Sequence, residues 1–142
     1  MCLECRFPRM LHTGWMKLLP CTLLAAAVAL PLHGLSLNTP TLSVNNFNAG
    51  DFAIFEVVEA TPHSPVMFAM SFRGGGPTNT QDYGIVYLSK PFHMMPTIVS
   101  DALGVAINEL KIPRAFQGRH FWFLAYDVAT ATFTNTVEAV VQ

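Results

Sequence analysis

The spacing of hydrophobic positions changes near residue 36. Upstream, from Met16, the chain reads MKLLPCTLLAAAVALPLHGLSLN, with an apolar block over residues 18–32 that contains no charge. Downstream, short apolar runs alternate with Gly, Pro, Asn and Asp, which is how an all-β sandwich or barrel reads. The runs cover residues 41–44, 52–59, 66–72, 84–88, 105–110, 120–127, 132–134 and 137–141, with a further extended piece around 97–100. In VMFAMSF, residues Val66, Phe68, Met70 and Phe72 share one face, and Met67, Ala69 and Ser71 share the other. HFWFLAYD is apolar on both faces, with Trp122, Leu124 and Tyr126 set against Phe121, Phe123 and Ala125. That pattern predicts a strand in the middle of a sheet. About eight short strands, with no amphipathic stretch long enough for a layer of helices, predict an all-β fold over residues 37–142. The expected architecture is an antiparallel two-sheet β-sandwich of Ig-like, Greek-key type. Asp101-Ala-Leu-Gly104 is expected to be a tight turn, because Asp bonds its own backbone and Gly takes positive φ without strain.

The apolar block changes the picture of residues 1–36. A lysine at position 17 followed by residues 18–32 has the layout of a secretory signal peptide. The block is shorter than the roughly 20 residues of a spanning helix. Gly34 and Ser36 suit a signal peptidase, so cleavage is expected after Ser36 first and after Gly34 second. Met10 and Met16 are both plausible start residues. An uncleaved anchor is the alternative, and a membrane association is expected only in that form. The chain is thus expected to be secreted or held in the cell envelope, periplasmic or extracellular. All three cysteines (Cys2, Cys5 and Cys21) fall before residue 37. The remaining domain would have no disulfide, thiol nucleophile or thiolate metal site. Its single core must then supply a net stability of about 5–15 kcal/mol.

Charge narrows the partners. Residues 37–142 hold five Lys and Arg against eight Asp and Glu, and no basic stripe appears in the sequence. Nucleic acid is therefore not an expected partner. The segment RGGGPTNT at 73–80 has no Lys-Ser/Thr after its glycines, and a strand rather than a helix follows, so it is not a phosphate-binding loop. It is read as a long, mobile connector at one end of the sandwich, although its N–H groups with Arg73 could form an anion-binding nest. His63, His93 and His120 lie on three separate segments with no metal-ligand spacing, and neither a metal nor a cofactor is expected. Asp51, Asp82, Asp101 and Asp127 sit at strand ends, where Asp caps turns and, in some secreted domains, binds calcium. No calcium-loop run supports the second role. Ser71, Ser89 and Ser100 lack a nucleophile elbow. Glu56 and Glu59, three apart on one strand, would point to opposite faces. No catalytic residue is assigned. The aromatic residues are mostly expected in the core. Phe92 and Phe116, beside breakers, are the candidate ligand-binding rings, and Arg73 is the candidate charged partner.

These motifs resemble a family of small secreted bacterial β-sandwich modules, mostly of unknown function. The resemblance rests on Gly-x-x-x-x-Phe-x-Val at 50–57, Ala60-Thr-Pro62, Gly-Gly-Pro-Thr at 75–78, Asp-Ala-x-Gly-x-Ala at 101–106, Ile112-Pro113, and Ala125-x-Asp127 ahead of Thr134-Asn135. It spans nearly the whole chain after residue 36. Such modules often have Gln where this chain has Leu124, and residues 90–95 are unusually rich in Met and His. The resemblance implies export and a sandwich fold, and it carries over no catalytic residue.

The leading expectation is a non-catalytic exported domain with a structural, adhesive or protein-interaction role. The alternative is a domain that binds carbohydrate or another small ligand through loop aromatics. An enzyme is the least favoured reading. Mass spectrometry of the exported chain should find its first residue at Leu37, or at Leu35 for the second cleavage site. An intact segment 18–32 would overturn the signal-peptide reading.

Overall fold

The computed structural model describes residues 39–142. The expected signal peptide and both cleavage positions lie outside the described residues. The described part is all-β, with eleven strands: β1 (Thr41–Asn45), β2 (Phe52–Val58), β3 (Pro65–Ser71), β4 (Thr78–Thr80), β5 (Gly84–Val86), β6 (Phe92–Met94), β7 (Ile98–Val99), β8 (Ala106–Lys111), β9 (His120–Asp127), β10 (Thr132–Phe133) and β11 (Val137–Val140). Among the described residues a single 3₁₀ turn, Arg114–Phe116, lies between β8 and β9. The count exceeds the expected eight or so. Hydrophobic pattern misses β4 and β6, because Thr-Asn-Thr carries no apolar residue and Phe-His-Met follows directly on Pro91.

All strand pairings are antiparallel. One sheet has the order β1-β2-β8. In the larger sheet β9 and β3 are the central pair; β10 and β11 flank β9, and β6 and β7 flank β3. The two sheets share one core, an arrangement consistent with a β-sandwich. From the first sheet come Leu42, Ala53, Phe55, Val57 and Ala106; from the second come Val66, Phe68, Phe121, Phe123 and Ala125. Phe47 joins them, with its ring 5.3 Å from Phe121 and 5.4 Å from Phe123, both edge-on. Edge contacts of this kind suit ring quadrupoles and add to the area buried. The polar residue Asn108 also points inward from β8, and its amide donates to the Pro96 carbonyl at 3.2 Å. On that strand the inward set is Ala106, Asn108 and Leu110, while Ile107 stays exposed.

The central strand is buried on both faces, as expected. Phe121, Phe123 and Ala125 enter the shared core. Trp122, Leu124 and Tyr126 face the other way, level with Ser71, Ala69 and Met67 of β3. What covers that outer face is the glycine segment. Residues 72–91 fold back over the sheet, carry the β4–β5 hairpin, and bury Val86 and Leu88 against Leu124, Trp122, Ala69, Phe92 and Phe133. A connector confined to one end of the sandwich is therefore incorrect for SFRGGGPTNTQDYG. At Gly75 the strap lies close to the sheet: a Cβ would meet Trp122 Cδ1 at 3.1 Å and Thr136 Cγ2 at 3.2 Å, so those side chains would have to give by a few tenths of an ångström. Hydroxyls hold the strap in place. Ser71 donates to Ser89 O at 2.6 Å, Thr78 to Leu88 O at 2.6 Å and Thr136 to Tyr87 O at 3.1 Å.

The Asp101–Gly104 turn forms as its residues dictate. Asp101 Oδ1 accepts the N–H groups of Leu103 at 2.8 Å and Val105 at 2.9 Å, and Gly104 has φ +75°. Ala60 N–H donates to Gly104 O at 3.0 Å, and the Ala60 carbonyl occupies the space a side chain on Gly104 would need. Gly104→Ala should cost more than about 1 kcal/mol, because both the positive φ and that carbonyl oppose a Cβ. Thermal unfolding should show a melting temperature lower by at least about 5 °C. An unchanged melting temperature would mean that the turn relaxes freely.

Candidate functional site

Two places gather side chains with chemical character: a buried polar hub at one end of the sandwich, and an apolar groove on the outer face of the larger sheet. The hub lies where β2 ends, β3 begins and β9 ends. Asp127 is 1% exposed. Its carboxylate accepts the Thr61 N–H and hydroxyl, each at 2.7 Å, the Ala129 N–H at 3.0 Å and the Ser64 hydroxyl at 3.2 Å. Ser100 completes the hub by donating its hydroxyl to Thr61 O at 2.5 Å and accepting the Ser64 N–H at 3.1 Å. Burial pushes the Asp127 pKa up, but hydrogen bonds from Thr61 backbone and side chain, Ala129 and Thr130 outweigh it and hold the carboxyl below its usual value. The chemistry available is that of a clamp. Every hydroxyl of the hub is engaged with backbone or carboxylate, and the neighbouring His63 is exposed. That Asp127 sits at a strand end, where Asp can cap a turn, was legible in the sequence; that it meets Thr61 and Ser64 was not.

The groove runs between the β4–β5 hairpin and the sheet. Met67, Tyr83, Phe92, Met94, Tyr126 and Phe133 line it, and it leaves about 40 Å³ of free volume. That is room for the tip of a side chain rather than for a whole small molecule. Tyr83 meets Tyr126 edge-on at 5.3 Å, and Tyr126 packs on Phe133 at 4.8 Å. Beside it Ile85, Tyr87 and Met94 stand out into solvent, at 59%, 54% and 54% exposure.

The three candidate ligand-binding residues do not form one platform. Phe92 pairs with Ser71 and so faces outward, half-buried in the groove. Phe116 lies at the other face, half-buried at the margin of the shared core, 5.5 Å from Phe121 and 6.2 Å from Phe72. Arg119 covers its ring at 5.6 Å. Arg73 is exposed at the base of the strap, where its own N–H donates to Ser71 Oγ at 3.0 Å. Asp82, at the strap's far turn, is exposed too and lies at the opposite end of the domain from Arg73. His63, His93 and His120 are likewise exposed and separate; His120 pairs with Glu138 at 2.9 Å. Among the described residues no group of three or more His, Cys, Asp and Glu side chains is placed to hold a metal, and no helix is long and apolar enough to cross a membrane. Compared with protein-family models and with curated proteins, the sequence matches none.

Asp127→Asn should destabilise the fold by about 2–4 kcal/mol near neutral pH, since an amide offers one acceptor where four donors converge. The sign with pH follows from the lowered pKa. The carboxylate's contribution is complete above the unfolded value of about 3.9 and is lost as pH falls through the lower folded value. Denaturant unfolding from pH 7 to pH 2 should therefore show the gap between wild type and variant narrowing only below about pH 4. A gap constant throughout that range would contradict the clamp.

Proposed function

We propose that this chain is a non-catalytic, exported β-sandwich of Ig-like type whose role is adhesive or structural, exercised through surface contact. The observation that carries the reading is the cluster of apolar side chains around the groove. Tyr83, Ile85 and Tyr87 of the β4–β5 strap and Met94 of β6 are all exposed on the outer side of the larger sheet, whereas isolated exposed apolar residues are ordinary. Several exposed apolar side chains on one side of a small domain support a role in contact with another surface. The shallow groove beside it suits an inserted side chain, and the met-rich rim can adapt to its shape. The antiparallel order of the two sheets supports the Ig-like relation, and the resemblance to secreted bacterial modules supports export. The engaged state of Ser64, Ser71 and Ser100 supports a non-catalytic role.

The reading is tested by replacing Ile85 and Tyr87 with Ser together. Neither side chain is needed in the core, so the melting temperature should move little. Self-association, read by light scattering over a concentration series, and retention on a phenyl matrix should both fall in the variant. A wild-type chain that stays monomeric and is retained no more strongly than the variant overturns the proposal.

A further inference from the structure

In the smaller sheet β2 lies between β1 and β8, so each outer strand turns one side of its backbone away from the sheet. The two edges are finished differently. On β1 the Leu42 N–H donates to Asn135 Oδ1 at 2.8 Å, and the Leu42 carbonyl accepts from Asn135 Nδ2 at 3.1 Å. One side chain does there what a further strand would do.

On β8 the direction of each backbone group follows from the strand's end. Ile112 N–H donates to Asp51 O at 2.9 Å and Ile112 O accepts the Gly50 N–H at 2.8 Å, so Ile112 bonds toward β2. The antiparallel register runs unbroken from Phe52 opposite Lys111 to Val57 opposite Ala106, and alternate residues Leu110, Asn108 and Ala106 therefore bond the same way. Ile107, Glu109 and Lys111 point their N–H and C=O groups outward. Among the described residues no strand pairs with β8 on that side, and no other backbone group takes up those of these three residues. Their side chains are all exposed. Asn108, bonded to the Pro96 carbonyl on the inner face, uses none of the outward groups.

We propose that β8 pairs with the β8 of a second copy, antiparallel about a two-fold axis at Leu110, so that each Glu109 lies opposite the partner's Lys111. A lysine on an edge strand ordinarily discourages pairing. Here Glu109, two residues earlier, supplies a reversed copy with the countercharge. Among the described residues neither Glu109 nor Lys111 forms an ion pair, and Lys111 is held on the outer face of the sheet, 5.9 Å from the Phe52 ring centre. Other registers are worse. Glu109 opposite Glu109 sets like charges directly across from each other, which is destabilising. Ile107 opposite Glu109 sets Val105 opposite Lys111, but the Val105 N–H is bonded to Asp101 Oδ1 at 2.9 Å and its carbonyl to the Asp101 N–H at 2.8 Å. The register centred on Leu110 has neither fault. Glu109 N–H donates to the partner's Lys111 O, Lys111 N–H donates to the partner's Glu109 O, and the symmetry repeats both bonds. Ile107, 49% exposed, falls opposite the partner's Pro113, whose missing N–H ends the ladder. Two three-stranded sheets thus join into one continuous sheet. This contact is on the sheet that does not carry the apolar groove, and it does not rest on the groove's role.

The test uses the full chain carrying Ile85→Ser and Tyr87→Ser, which removes the groove contact, in sedimentation velocity over a concentration series. A concentration-dependent dimer is expected. Glu109→Lys sets Lys opposite Lys and Lys111→Glu sets Glu opposite Glu, so each alone should weaken the dimer about tenfold or more. An equimolar mixture of the two variants should dimerise again, because every charge then meets its opposite. Glu109→Pro, which removes an outward N–H but no bond to β2, should abolish the dimer. If that variant folds poorly, the charge reversals on an exposed face carry the test by themselves. A chain that is monomeric at every concentration, dimerisation that Lys111→Glu leaves unchanged, or a mixture no better than its components overturns the inference. Retention of the chain with Ile85 and Tyr87 intact on a phenyl matrix should not respond to either charge reversal, so failure of the β8 pairing would leave the groove reading standing.

Discussion

The packing of Val86 and Leu88 onto Trp122 and Leu124 is what allows β9 to sit at the centre of a sheet. A strand apolar on both faces needs cover on both, and a three-stranded partner sheet supplies only one. The strap supplies the other. Burying two aliphatic side chains contributes about 1.5–3 kcal/mol each. Ordering a strap of this length costs about 1–2 kcal/mol per residue in backbone freedom, so those two side chains do not suffice. The hairpin ladder and the hydroxyls of Ser71, Thr78 and Thr136, which bond strap carbonyls, are therefore part of the same device. The groove is a by-product of that cover: the strap stops at Tyr83 and leaves Met67, Tyr126 and Phe133 only partly roofed.

Aspartate and the basic residues play different parts at the strand ends. Aspartate accepts N–H bonds, so at strand ends it is drawn into turns and hubs, as Asp101 and Asp127 are. Lysine and arginine cannot accept, and their heads stay in water while their stems lie on apolar surface, as with Lys111 on Phe52. Asp101 and Asp127 thus serve as fasteners, while the lysines and arginines, and acids such as Asp82 and Glu109, remain exposed.

The fold class was legible because alternation is local. Phe52–Val58, Pro65–Ser71 and His120–Asp127 each announce a strand and a face through period two, and the Asp101–Gly104 turn is written in two residues. β4 and β6 were not legible, since a three-residue strand takes its conformation from its neighbours rather than from its own pattern. Of the candidate ligand residues, the sequence suggested that Phe92, Phe116 and Arg73 lie near breakers, and all three are indeed in or beside loops. It did not show that Phe92 and Phe116 belong to opposite faces of one sheet, because that depends on pairing Ser71 with Phe92.

By itself the sequence determined most of the extended segments, their apolar faces and turns such as Asp101–Gly104, because propensity and periodicity act over a few residues. Only the tertiary structure decided that the glycine segment is a cover rather than an end loop, and that Thr61, Ser64, Ser100 and Asp127 converge. Each of those outcomes depends on which strands pair and in what register. Register is set by the need to bury both faces of β9 at once, a condition that no single stretch of sequence contains.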